Sequence, residues 1–253
     1  MGLGVCYNVR MKSIPKLSKT SKMPAKSWSL PAWETCPGAR SDGKPAEACE
    51  GCYALTGAYQ FPSTIKAREH NLEDWKKDDW CDAMVKAIGK DKYFRWFDSG
   101  DIYCMELAEK IIEVVRRTPD CKHWLPTRSH KAIQGLYGYL LDYTKEYYKP
   151  NKYEADDKPV RNYMYLSNLT VRFSSDSVHG VRLPKVFGRN SVIIQHEEDF
   201  KAEKGYALCR AYTRGGKCGD CRACWSNKVD TVAYVKHGKK VNAKKFQKPL
   251  LEV

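Results

Sequence analysis

Two groups of cysteines carry the chemistry that this chain of 253 residues could perform. Cys36, Cys49 and Cys52 lie near its start, and Cys209, Cys218, Cys221 and Cys224 near its end. The late group includes "CGDCRACW", in which three thiols follow one another at three-residue steps. A Cys-x2-Cys turn lets two sulfurs converge on one metal centre, and a second such step adds a third ligand from the same loop. Gly215, Gly216 and Gly219 supply the backbone freedom a chain needs to wind round a cluster. The early trio offers three thiolates and no fourth within its own loop. On a cube of iron and sulfide that leaves one iron open to a substrate, a small molecule or a remote side chain.

Structural zinc favours paired Cys-x2-Cys knuckles separated by a longer loop. Three cysteines in successive x2 steps with one distant ligand follow the iron-sulfur pattern instead. The favoured cofactor is therefore a 4Fe-4S cluster, one or two per chain, with zinc as the alternative, and a single cluster shared by both groups stays open. Cys6, Cys81, Cys104 and Cys121 are isolated and read as plain buried thiols.

A chain of this length, 42% hydrophobic, can bury a core without disulfides. The N-terminal stretch turns basic too soon for a signal peptide, and no segment reaches the apolar length of a membrane span. The expectation is a soluble cytoplasmic protein, with reduced thiols and no membrane partner. The net charge is +14, concentrated at the ends. Arg10, Lys12, Lys16, Lys19, Lys22 and Lys26 form one basic flank; Lys236, Lys239, Lys240, Lys244 and Lys245 belong to the other. Two like-charged flanks call for a polyanion, and the expected partner is nucleic acid or a host protein with acidic patches.

The elements between the cysteine groups must position any site. "KYFRWF" (Lys92 to Phe97), "CKHWLP", "RNYMYLSNLTVRFS" and "NSVIIQH" read as strands. "MELAEKIIEVVRR" (Met105 to Arg117) puts Leu107, Ala108, Ile111, Ile112 and Val115 on one helical face. A second helix is expected from about His130 to Tyr148, and one or two more from an N-cap at Ser63 or Thr64. Strands alternating with helices imply an α/β fold with a mainly parallel sheet, either open or an incomplete (βα) barrel. Its expected organisation is a basic segment over 1–30, one α/β domain over 31–230 with two Cys-rich loops, and a basic tail over 231–253.

Polar clusters follow the strands: "DSGD" (Asp98 to Asp101), "TRS" (Thr127 to Ser129), "SSD" (Ser174 to Asp176) and "HEED" (His196 to Asp199). Parallel α/β folds bind ligands at the carboxyl ends of their strands, so the clusters should share one face. No member pairs a nucleophile with a base. Asp98, Ser99, Asp101, Thr127, Arg128, Ser129 and Asp176 are accordingly assigned ligand-binding roles.

The order "KMPAKSWSLPAWETCPGA", "CEGCYA", "FRWFDSGDIY", "TPDCKHWLPTRS", "VRFSSDS" and "KCGDCRACW", over roughly residues 22 to 226, resembles the phage gene product 88 family. That resemblance implies a viral origin, a site in the host cytoplasm during infection, and an iron-sulfur centre; it supplies no activity. The layout is also similar to radical SAM enzymes with an auxiliary cluster. Similarity to that group implies a radical-SAM-like fold whose Cys-rich N- and C-terminal segments form the cluster site. It also implies S-adenosylmethionine as a ligand of the open iron, with "DSGD" where a Gly-Gly-Glu motif usually holds its amino group. Here the early spacing is x12 then x2 instead of x3 then x2, and Gly-Gly-Glu is absent. Two functions follow as expectations: a nucleic-acid- or host-protein-binding iron-sulfur factor without classical catalysis, or a radical-SAM-like enzyme.

Overall fold

A computed structural model describes residues 12–41, 43–144, 165–237 and 241–251. The strands are β1 (Leu17–Lys19), β2 (Lys26–Trp28), β3 (Arg40–Ser41), β4 (Lys44–Pro45), β5 (Tyr93–Trp96), β6 (Lys122–Thr127), β7 (Leu169–Ser174), β8 (Asn190–Ile194), β9 (Tyr206–Leu208) and β10 (Thr231–Val235). The helices are α1 (Pro62–Asp74), α2 (Trp80–Ile88), α3 (Met105–Arg116) and α4 (Leu136–Thr144). Eight strands form one sheet in the order β1-β2-β5-β6-β7-β8-β10-β9, and β3 and β4 form a small separate hairpin. Within the large sheet only the β1–β2 pair is antiparallel.

From β2 to β8 each new strand is added on the same side of the last. Because crossover handedness is nearly constant, that order sends every connecting helix to one face. Accordingly α2, α3 and α4 share a single apolar cluster with Phe94, Trp96, Leu125, Val171 and Phe173. Trp28, Trp80 and Trp96 meet edge-on or tilted at its centre, 5.3 to 6.3 Å apart. Strand alternation turns the other residues, Arg95, Trp124, Arg172, Ser174 and Tyr234, to the opposite face. No helix covers that face among the described residues.

Several sequence expectations shift. The first helix begins at Pro62, with Phe61 as N-cap and no side-chain cap, because proline at N1 is already set to helical φ and needs no N–H partner. The helix expected from His130 divides into a short 3-10 turn (Ser129–Lys131) and α4; Gly135, at φ +79°, interrupts it, and residues 145–148 lie outside the described residues. The basic flanks are not separate from the sheet. Lys26–Trp28 and Thr231–Val235 are strands inside it, since Trp28, Val232 and Ala233 are apolar enough to be buried. No described helix is long and apolar enough to cross a membrane.

The N-terminal flank is also fixed by polar contacts. Asn71 on α1 bonds the backbone of Lys16 and Ser29, and Asp74 takes hydrogen bonds from Ser13 Oγ and Ile14 N. A helix that buries Arg68, Asn71 and Asp74 shows little apolar periodicity to a sequence reader.

Candidate functional site

At the carboxyl ends of β5, β6 and β7 and over the helix-free face lies a cavity of about 700 Å³. Six of the seven grouped cysteines line it: Cys36, Cys49, Cys52, Cys209, Cys218 and Cys224. Cys221 is exposed and outside the lining, yet close enough for its charge to act on Cys218. Asp98, Ser99, Asp101, Thr127 and Arg128 line the same cavity; Ser129 and Asp176 do not. The "HEED" cluster faces a different, smaller pocket with His179 and Lys201, so the four strand-end clusters do not all converge.

The early trio is built by two tight turns. Cys36 precedes the 3-10 turn Pro37–Ala39, and Cys49 closes the turn Glu47–Cys49. Gly38 seats this loop against β6: an added Cβ there would stand 2.1 Å from the Arg128 carbonyl oxygen. Ala48 N donates to Asp176 O, and Arg128 Nη1 lies 3.1 Å from Cys49 Sγ. Burial raises the pKa of Cys36, Cys49 and Cys52; Cys36 also feels the charge of Cys52 and Cys49, Cys52 that of Cys49, and Cys49 that of Arg128.

The late group plugs the helix-free face. Arg172, fully buried in the middle of β7, donates to the carbonyl oxygens of Ala223, Val229, Cys224, Ser226, Asn190 and Asp230 at 2.8 to 3.5 Å. Trp225 Nε1 donates to Phe94 O at 2.8 Å, and Thr170 Oγ1 donates to Trp225 O at 3.0 Å. Cys218 N bonds Lys22 O, and Cys209 N bonds Ala233 O. Tyr234 Oη stands 3.2 Å from Cys224 Sγ. Burial lifts the Cys224 thiol to about 11.

The "DSGD" loop turns sharply at the end of β5. Phe97 has φ 54° and Gly100 φ 75°; the former is uncommon for a bulky residue and is held in place by Phe97 N donating to Trp28 O. At Gly100 a Cβ would meet Leu30 Cβ and Thr35 Oγ1 at 2.7 Å. The loop's polar groups are largely committed internally. Asp98 accepts from Tyr59 Oη at 2.6 Å and pairs with Arg95 at 2.7 Å. Asp101 accepts from the backbone N of Arg128 and of Ile102, and burial raises its pKa. Ser99 Oγ donates to Leu30 O. Thr127 Oγ1 accepts from Ser129 N, while Asp176 pairs with Arg128 and Lys131.

Of the basic residues singled out, Lys22 and Lys236 line the cavity. Lys12, Lys16 and Lys19 lie exposed on or near β1, Lys26 pairs with Asp91, and Lys244 and Lys245 are exposed. Arg10, Lys239 and Lys240 lie outside the described residues, as does Cys6. Cys104 and Cys121 are buried in the main core, and Cys81 packs on its edge. The sequence reading passed over Arg95, Arg172, Tyr53, Tyr59 and Tyr234. Arginines alternating with aromatics inside "YFRW" and "VRFS" were the available signal, because a charge in a buried strand needs a partner.

The residues present suit a sulfur-rich cofactor in one respect: cysteines of both groups line one space, with the Arg128 guanidinium and the Tyr234 hydroxyl within hydrogen-bond distance of two of them. Among the described residues, no three His, Cys, Asp or Glu are arranged to hold a single metal ion. A tetrahedral ion needs its donors round one point; a 4Fe-4S cube binds each cysteine through a different iron and takes sulfurs set further apart.

The gene product 88 family model matches residues 8–227. Comparison with curated proteins and with solved structures gives no match. With most of its length matched, the chain belongs to the gene product 88 family.

Proposed function

We propose that this gene product 88 protein is a 4Fe-4S enzyme of radical-SAM type, with S-adenosylmethionine and a second substrate sharing the cysteine-lined cavity. One observation carries the reading: cysteines far apart in the sequence line one cavity of about 700 Å³, within the range of small-molecule sites. Sulfurs that served only to fasten the termini together would need packing, not a cavity. Cys36, Cys49 and Cys52 would hold the cluster with the open iron, and Cys209, Cys218, Cys221 and Cys224 an auxiliary one. Given an electron from an external reductant, a cluster held there would supply the one-electron reducing chemistry that cleaves S-adenosylmethionine.

The chain's own residues shape that chemistry. Arg128, beside Cys49, offers a cation to a carboxylate or to cluster sulfur. The Asp98–Arg95–Tyr59 network and the Asp101 contacts hold the loop after β5 in one conformation, which presets the cavity wall. Arg172 is a buried cation bonded only to carbonyl oxygens among its hydrogen-bond partners, so a neighbouring thiolate set would offset its charge.

The competing reading, a nucleic-acid- or host-protein-binding factor that uses the basic ends without catalysis, gives the cysteine-lined cavity no role. Two measurements test the proposal on anaerobically purified protein. Iron and acid-labile sulfide should reach about four or about eight per chain, for one or two cubes. Reduced protein given S-adenosylmethionine should release 5′-deoxyadenosine. Protein carrying iron and sulfide that releases none would leave the binding factor; protein without iron would end both.

A further inference from the structure

We infer that the cavity takes single-stranded nucleic acid, one base entering it while backbone phosphates lie along a basic rim that includes Lys22, Lys217, Lys236 and Lys245. This names the second substrate of the enzyme proposed above, yet it rests on the cavity wall and rim and not on the cofactor.

The rim is assembled from distant parts of the chain. Lys22 and Lys236 line the cavity. Lys217 is exposed beside Cys218, whose N–H is bonded to Lys22 O. Lys245 reaches Gln60 Oε1 at 2.8 Å, and Gln60 in turn bonds the carbonyl of Ala54, a lining residue. Of the acidic residues that share the lining, Glu47 is engaged by His179 and Val178 N, and Asp98 by Arg95. Glu50 is exposed, one carboxylate against the four lysines of the rim. The free charge at the mouth is therefore mainly positive, in a chain of net +14. Phosphate is the common group such a rim would neutralise.

Two features inside the cavity suit a base. Tyr53 is 42% exposed, and its hydroxyl is fixed by Arg95 Nη2 at 3.1 Å and Asp98 O at 2.9 Å. Tyr59 meets the ring edge-on at 5.2 Å. An aromatic ring held this way and open to solvent is a stacking platform. On β8, Ser191 lines the cavity, and its buried hydroxyl has no hydrogen-bond partner among the described residues; a small rotation would turn that hydroxyl to the edge of a base. A duplex keeps its bases stacked within the helix and out of reach of a concave site, whereas a single strand presents them at little cost. An acidic peptide would meet the same cations but leave the Tyr53 platform unused.

The test is fluorescence anisotropy with a labelled oligonucleotide of about 12 nucleotides, as DNA and as RNA, against a hairpin duplex and poly-glutamate, at about 50 and 200 mM salt. Single strands should bind at least about tenfold more tightly than the duplex or poly-glutamate and weaken steeply with salt. The double variant Lys22→Gln, Lys236→Gln should lose about tenfold and flatten the salt dependence. Tyr53→Leu should lose about tenfold for single strands only, and Tyr53→Phe, which keeps the ring, should lose much less. No binding, equal binding of duplex and single strand, or preference for poly-glutamate would overturn the inference. Iron per chain, measured on the same samples, reports separately on the cysteine reading, so either idea can fail alone.

Discussion

Replacing Arg172 by methionine tests the physical account of how the late cysteines are held. Its guanidinium is buried and reaches six carbonyl oxygens. Three of them have a second donor: Ala223 O also accepts from Ser226 N, Ser226 O from Val229 N, and Asp230 O from Asn190 N. Asn190 O, at 3.3 Å, lies at the start of the β8–β10 pairing, which leaves Cys224 O and Val229 O, at 3.1 and 3.0 Å, as the two loop carbonyls with Arg172 as their donor. Leaving a buried carbonyl unpaired costs about 1–3 kcal/mol, so two such groups give roughly 2–6. Methionine also removes the desolvation penalty of a buried cation, which offsets part of the loss. We expect a net destabilisation of about 3 kcal/mol, read as a lower urea midpoint at unchanged m-value. The loss should be local as well as global, because five of the six carbonyls belong to the loop between Cys221 and Thr231. Cys224 should react with a thiol reagent at least about tenfold faster in the metal-free variant than in the metal-free parent, while the core thiols Cys104 and Cys121 change far less. Arg172→Lys keeps a charge but cannot span the six oxygens, and should fall near the methionine variant. A methionine variant within about 0.5 kcal/mol of the parent, with Cys224 no more reactive, would refute the idea that this side chain clamps the loop.

Acid should unfold the protein through its buried histidines. Burial lowers the pKa of His123 to about 3 and of His130 to about 4, from 6.5, so the unfolded chain takes up protons first as pH falls. Stability is then full above about pH 6.5 and falls toward pH 3, by about 2 kcal/mol per histidine at pH 5; urea midpoints at pH 7.5 and pH 5 for parent and His123→Leu check this, the variant showing the smaller drop. Gly38→Ala drives a Cβ to 2.1 Å from the Arg128 carbonyl oxygen, which should cost about 1–3 kcal/mol and lower iron per chain by displacing Cys36. Asp98→Asn breaks a pair in which Arg95 and Asp98 are 11% and 7% exposed, and should cost about 3 kcal/mol. Tyr59→Phe, which deletes one hydrogen bond to that carboxylate, should cost about 1 kcal/mol; urea melts of both distinguish a wall-building Asp98 from one held free for a ligand.

Local patterns in the chain were enough to mark the two cysteine groups and the class of fold. Cysteine spacing is a property of a single loop, and the alternation in "KYFRWF", "CKHWLP" and "NSVIIQH" reports a buried strand because side chains alternate across a sheet. The strands at Lys26–Trp28 and Thr231–Val235 were hidden because basic neighbours masked short apolar runs. The packing of α1 was hidden because its buried face is polar and bonded to Lys16, Ser29 and Ser13. Only the tertiary structure decided that both cysteine groups face one cavity, that Asp98 and Asp101 are occupied with Arg95, Tyr59 and backbone N–H groups, and that "HEED" stands apart. Those outcomes depend on pairings such as Trp225 Nε1 with Phe94 O, 131 residues away. A periodic pattern tells each residue which way to face; it carries no information about which distant partner it will find there, and the order of the strands supplies that.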